Sequence, residues 1–172
     1  MQYQGQKEYQ LEVAGLKRKL PIININPNLS IASFVMLGDT ELNNKCAQEL
    51  IKKFPSKYFD YLVIPEAKSI PLAQAICTLL LEEGYPKDYI VLRKGIKSYM
   101  ENPGIVETKS ITTAEDQKIV INGVDADKIK GKTVYLLDDV ISTGGSYRSM
   151  INLIQKIGAN IKFAGADRKS VV

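Results

Sequence analysis

Histidine is absent from all 172 residues of the chain. That excludes nucleophilic triads built on histidine, imidazole general bases and the usual zinc ligand sets. Any chemistry must run on carboxylates, lysine, arginine, backbone dipoles and a hard metal if one takes part. Only two cysteines occur, Cys46 and Cys77, both on the apolar faces of predicted helices. They suit small core residues better than a disulfide framework or a metal site. No run approaches the roughly 18 to 20 apolar residues of a membrane span, and the N-terminal M-Q-Y-Q-G-Q-K-E-Y-Q lacks the apolar core of a signal peptide. A cytoplasmic protein with no membrane partner is expected. There is no Pro/Ser-rich linker and no internal repeat, so the chain reads as one domain. Its formal charge of +4 is modest, and no basic block exceeds Lys17-Arg18-Lys19, which reads as a solvated turn. Nucleic acid is therefore not an expected partner.

What is present is an ordinary globular composition, 45% hydrophobic and 24% charged, in a chain long enough to bury roughly 70% of its unfolded surface. One segment stands out. Val134 to Ser146 read V-Y-L-L-D-D-V-I-S-T-G-G-S, an apolar run, two adjacent aspartates, then a hydroxyl- and glycine-rich turn opening an amphipathic helix. Thr133 to Leu137 can cross a core as a buried strand, leaving Asp138 and Asp139 at its carboxyl end, where open parallel sheets place ligands. Two carboxylates there suit hydroxyls or a metal. Ile141, Ser142, Thr143, Gly144, Gly145 and Ser146 follow, offering backbone N–H groups and hydroxyls at a helix N-terminus, a favoured place for a phosphate. Together they describe a site for a sugar phosphate.

Periodicity supplies the frame. Leu42, Cys46, Leu50 and Phe54 recur every four residues behind an Asp39 cap, which predicts a helix over 39–54. Ala73, Ile76, Cys77 and Leu80 predict a second over 69–81, with Ser69 as cap, Pro71 early and Gly84 as a stop. Tyr147, Met150, Ile151, Ile154 and Ile157 mark a third, closed by Gly158. Tyr58–Pro65, Tyr89–Arg93, Lys118–Ile121 and Ile161–Ala166 read as further strands. Strands alternating with helices predict an α/β fold with a mostly parallel twisted sheet flanked by helices. Residues 1–38 depart from this pattern: Tyr9–Val13, Leu20–Ile25 and Ile31–Leu37 read as short extended segments, a small hood over the strand ends of a core spanning 39–172. Ser98–Gln117 is polar, contains Asn102-Pro103-Gly104 and reads as a long excursion of the kind that forms lids.

Two more clusters fall at strand ends. Glu66, Ala67, Lys68 and Ser69 open the turn after Pro65, where a short loop presents amides and an ammonium to a second anion. Arg93, Lys94 and Lys97, in R-K-G-I-K, concentrate positive charge at the end of the next strand, which suits a pyrophosphate.

The thirteen residues from Val134 resemble the phosphoribosyl-pyrophosphate (PRPP) motif of the type I phosphoribosyltransferases. E-A-K-S-I-P-L-A resembles the pyrophosphate loop of the adenine and xanthine subgroup and of the purine-operon repressor, a loop that often includes a non-proline cis peptide. The resemblance covers roughly Asp60 to Ala166 in the family's order and implies the type I fold with a flexible loop at about 98–117. It implies transfer of phosphoribosyl from PRPP to a free purine base, adenine being favoured, giving a nucleoside monophosphate and pyrophosphate in purine salvage. Xanthine, hypoxanthine and guanine are alternative bases, and a PRPP-sensing regulator is the alternative without catalysis. By the same resemblance Asp138 and Asp139 hold the ribose or Mg²⁺, Ile141 to Ser146 hold the 5′-phosphate, and Glu66 to Ser69 with Arg93, Lys94 and Lys97 hold pyrophosphate, Lys97 acting in catalysis. Phe34 falls where an aromatic stacks on the base in the xanthine type, although a core role suits it as well. A homodimer is implied. The sequence departs from the subgroup in two places. E-T-K-S-I-T-T-A-E-D lacks the glutamate-tyrosine-glycine of adenine enzymes, leaving only Glu107 and Glu115 near that position, and the chain ends at Val172 directly after the last strand.

Overall fold

The computed structural model describes residues 5–27, 29–108, 117–141 and 144–169. Three antiparallel strands come first, β1 (Glu8–Val13), β2 (Leu16–Asn26) and β3 (Leu29–Ala32). Val13, Ala14 and Leu16 pack on the main core. Arg18 then ties β2 to the next helix, donating to Asp39 at 2.7 and 3.1 Å and to Glu41 at 2.9 Å. Helix α1 (Thr40–Lys53) is capped by Asp39, whose carboxylate accepts the Leu42 N–H at 3.0 Å. The expected stripe of Leu42, Cys46 and Leu50 is buried.

The α/β core follows as β4 (Tyr61–Pro65), α2 (Ile70–Glu82), β5 (Asp88–Leu92), β6 (Gly104–Thr108), β7 (Gln117–Ile121), α3 (Gly123–Ile129), β8 (Thr133–Ile141), α4 (Gly145–Ile157) and β9 (Asn160–Lys169). Four of these strands form one parallel sheet in the order β5-β4-β8-β9. Both faces are covered, and side-chain alternation divides the core accordingly. Leu62, Ile64, Tyr135 and Leu137 point toward α1 and α2, whereas Val63, Val134 and Leu136 join Met150, Leu153 and Ile121 on the α4 side. Cys46 and Cys77 are buried free thiols, as expected. Burial, with Asp88 nearby, pushes the Cys77 thiol up to about 12, which keeps it protonated and inert. Among the described residues no helix is long and apolar enough to cross a membrane.

Four elements differ from expectation. Residues 98–117 are not wholly an irregular excursion: β6 pairs antiparallel with β7, from Gly104↔Ile121 to Thr108↔Gln117. Val106 packs on the core, while Ile105 is exposed. With only these two adjacent apolar residues, β6 gave no period-2 signal. The lid expectation for residues 109–116 lies outside the described residues. Helix α3, at seven residues, is too short to show a 3.6 period. Strand β3 ends at Ala32 rather than reaching Leu37. Strand β8 runs on through Asp138 to Ile141 because β9 continues to pair with it as far as Ile141↔Lys169, although its pairing with β4 stops at Leu136.

The order of the parallel strands fixes the position of a crevice. From β4 the chain crosses to β5 on one side, then returns to place β8 on the other. The carboxyl ends of β4 and β8 therefore flank the point where the winding reverses, and such a crevice is where open α/β sheets bind ligands.

Candidate active site

Asp138 and Asp139 lie on the β9-paired overhang of β8, just past its pairing with β4. Facing them across the switch point is Ser69, the first residue before α2. Its hydroxyl lies 3.0 Å from Asp138 Oδ1 and 3.4 Å from Asp139 Oδ1, and accepts the Asp139 N–H at 3.1 Å. That same N–H is shared with Asp138 Oδ1 at 2.8 Å. The turn after β4 and the end of β8 are thus one hydrogen-bonded unit. Burial pushes the Asp138 carboxyl up to about 7, with neighbouring Asp139 adding to the shift and the Ser69 hydroxyl and Asp139 amide opposing it. Two adjacent carboxyl groups at a strand end attract hydroxyl groups or positive charge.

The phosphate end begins at Gly144, the N-cap of α4, with φ of +79°. A glycine suits this left-handed turn, which brings the chain from β8 into the helix. Gly145 and Ser146 open the first turn of α4, and a helix N-terminus is a favoured place for an anion. Ser142 and Thr143, expected in this loop, lie outside the described residues. Tyr147 anchors the turn: its hydroxyl bonds the carbonyls of Leu136 at 3.0 Å and Gly165 at 3.1 Å. Burial holds that phenol well above its ordinary value. The sequence marked Tyr147 only as part of an apolar stripe, and nothing in the pattern signalled its bonds to β8 and β9.

The second anion cluster is organised by Glu66. Its carboxylate accepts the Lys94 N–H at 2.7 Å and the Arg93 guanidinium at 3.1 Å, and Lys97 Nζ lies 3.9 Å away. Burial disfavours the charged carboxylate, but these three groups outweigh it and hold Glu66 below the usual range. Glu66 thus holds the Arg93 guanidinium and the Lys94 backbone and faces Lys97, tying the three residues of this cluster to one acid. The Glu66–Ala67 peptide is cis. Ala67 and Lys68 are exposed at the turn. Phe34 is half-buried against the main core, which fits its packing role. A cavity of about 540 Å³ lies along β5, lined by Tyr61, Tyr89, Tyr99 and Arg93 among others, and includes neither Asp138 nor Asp139. The Ser69–aspartate junction and the Glu66 cluster instead lie at the carboxyl ends of β4, β5 and β8, at the switch point.

Along the chain the turn at Glu66, the basic strand end after β5, the paired acids on β8 and the N-terminus of α4 follow one another, in the order expected of a phosphoribosyltransferase domain. The chain belongs to the phosphoribosyl transferase domain family, whose model matches residues 40–166. It has the type I phosphoribosyltransferase fold. A hypoxanthine/guanine phosphoribosyltransferase of Methanothermus fervidus is 34% identical over 143 residues, 80% of this chain and 69% of that protein. The corresponding protein of Methanocaldococcus sp. is 34% identical over 132 residues, with 77% and 61% covered. The chain therefore spans roughly two thirds of the length of these relatives. Among solved structures, the adenine phosphoribosyltransferase of Thermoanaerobacter pseudethanolicus superposes with a TM-score of 0.66 at 17% identity, covering 88% of this chain and 95% of that one.

Proposed function

We propose that the chain is a purine phosphoribosyltransferase that transfers the phosphoribosyl group of PRPP to a free base and releases pyrophosphate. The observation that carries this reading is the junction of Ser69 with Asp138 and Asp139, which joins the turn proposed for pyrophosphate to the acids proposed for ribose at the sheet's switch point. Asp138 and Asp139 would accept the ribose hydroxyls and face the positive charge that develops as the bond to pyrophosphate lengthens. The α4 N-terminus would take the 5′-phosphate, its amides preset for an anion. Lys68, Arg93, Lys94 and Lys97 would stabilise the departing pyrophosphate, with Glu66 holding the last three in place. Catalysis of this kind consists of orientation and electrostatic complementarity, so a chain without histidine is suited to it.

The donor set fits a hard cation. Asp138 and Asp139 would hold Mg²⁺, because a partly buried acid pushed toward neutrality beside a second carboxylate gains from a nearby positive charge. Two carboxylates suit a Mg²⁺ that shares substrate oxygens and water rather than sitting in an all-protein cage. When bound it would supply charge to the diphosphate. Assembly as a homodimer belongs to the same reading, and the exposed Ile23, Ile25 and Ile31 on β2 and β3 offer apolar surface for it.

For the base, motif resemblance and shared fold favour adenine, but a likeness at 17% identity speaks for fold alone. The relatives at 34% identity are hypoxanthine/guanine enzymes. A 6-oxopurine is therefore the base of first choice and adenine the second. The test is pyrophosphate release from PRPP with adenine, hypoxanthine, guanine and xanthine in parallel. Turnover highest with hypoxanthine or guanine is expected. Highest turnover with adenine would overturn the base assignment, and PRPP binding without turnover of any base would favour the sensing regulator.

A further inference from the structure

We propose that Ser69 is a positioning residue for the ribose acids, not a pyrophosphate ligand, although it lies in the turn that would hold pyrophosphate. The inference rests on the phosphoribosyl reading of Asp138 and Asp139. A serine before a helix ordinarily turns its oxygen onto the amides of the first turn. Ser69 makes no such bond: its backbone is already helical, at φ −79° and ψ −11°, and the second helical residue is Pro71, which has no N–H to offer. The hydroxyl is released from capping and spent 69 and 70 residues away, on Asp138 and Asp139.

A hydroxyl carries one proton and two lone pairs. Here the proton lies within reach of both Oδ1 atoms, and one lone pair takes the Asp139 N–H. Ser69 is 1% exposed and Asp139 8%, so water has little room to replace the lost group. The turn itself does not depend on the hydroxyl. The Ser69 carbonyl accepts the Ala73 N–H at 3.0 Å, and the Ala67 carbonyl accepts the Ile70 N–H at 3.2 Å. What remains facing solvent at this turn is Ala67 and Lys68. Removing the hydroxyl should therefore leave the turn in place while freeing the two carboxylates to rotate away from the geometry in which they meet a ribose.

The experiment measures equilibrium binding of ribose 5-phosphate and, separately, of inorganic pyrophosphate, each with Mg²⁺, to the unaltered chain, Ser69→Ala and Ser69→Thr. Ser69→Ala should weaken ribose 5-phosphate by about tenfold or more, the worth of a hydrogen bond to a charged group, with pyrophosphate changed by less than about twofold on the same scale. Ser69→Thr keeps the hydroxyl and should restore ribose 5-phosphate binding. Loss of pyrophosphate binding as large as the loss of ribose 5-phosphate would overturn the proposal, since a general disturbance of the turn produces that result. So would no change in either ligand. If Ser69→Ala does not fold, a folded Ser69→Thr with ribose 5-phosphate binding as weak as about tenfold below the unaltered chain overturns it instead, and binding near the unaltered level supports it. An unaltered chain that binds neither ligand refutes the phosphoribosyl reading itself, and the role of Ser69 falls with it.

Discussion

The carboxylate of Glu66 accepts the backbone N–H of Lys94 at 2.7 Å, joining the turn after β4 to the turn after β5. The same carboxylate meets the Arg93 guanidinium and faces Lys97. Arg93 is fixed from its other side, its backbone N–H and C=O both bonded to Val120 of β7. Basic groups from one strand end are thereby held on a single acid from another. Cations held on one acid in this way stay convergent without burying unpaired positive charge.

Glu66→Gln should lower stability at neutral pH and leave it nearly unchanged in acid. The sign follows from the lowered folded-state value of this carboxyl. Its contribution is present above the unfolded value of about 4.3 and is lost as pH falls through the folded value. A gap of about 1 kcal/mol at pH 7 is expected for a partly buried, charge-assisted contact. Urea unfolding of both proteins from pH 7 downward checks it, and a gap that stays constant into acid would count against the ion pair.

Gly123→Ala should cost about 2 kcal/mol by overpacking. A Cβ at this position would lie 2.4 Å from the Glu101 carbonyl oxygen and 2.8 Å from that of Asn102. The close approach is itself a bond, Gly123 N–H to Glu101 C=O at 2.9 Å, supported by Asn122 Oδ1 accepting the Glu101 N–H. Thermal unfolding should show a fall of roughly 4 to 8 °C for a domain of this size. An unchanged melting temperature would mean that the base of the β6–β7 hairpin yields without cost.

Much of this arrangement was legible in the residues themselves. Leu42, Cys46 and Leu50 marked α1, and the alternation of strands and helices gave the parallel sheet. The adjacent Asp138 and Asp139 placed the acids at a strand end. What escaped were features set by partners distant in sequence. Strand β8 continues past Leu137 because β9 pairs with it, which no property of Asp138-Asp139-Val140 encodes. Ser69 looks like a helix cap in sequence, and only the approach of β8 shows where its hydroxyl goes. That the Glu66 carboxylate bonds Arg93 and the Lys94 backbone is likewise visible only once β5 is brought beside β4. Phe34, the one residue the sequence offered for the base, is half-buried with part of its ring on the core.

Asp138→Asn should raise stability at pH 8 in the absence of divalent metal. Burial and Asp139 raise this carboxyl to about 7 in the folded state, whereas the unfolded value is about 3.9. The parent protein therefore loses stability as pH rises from about 4 to about 7, and an amide that cannot ionise does not share that loss. The advantage of the variant should be largest above pH 7 and vanish near pH 4. Denaturant unfolding across that range in chelator decides it. A variant less stable at every pH would show the carboxylate to be a structural acceptor.

The most direct measurement is PRPP binding, with Mg²⁺, by the unaltered chain and by Asp139→Asn, followed by titration calorimetry together with the melting temperature of each free protein. The acid pair on the β8 overhang should bind PRPP saturably, and Asp139→Asn should weaken that binding by about tenfold or more, as expected for loss of a charged hydrogen-bond partner, while still melting cooperatively. No heat of binding at millimolar PRPP, or equal affinity in the two proteins, would contradict the assignment of this strand end as a phosphoribosyl site.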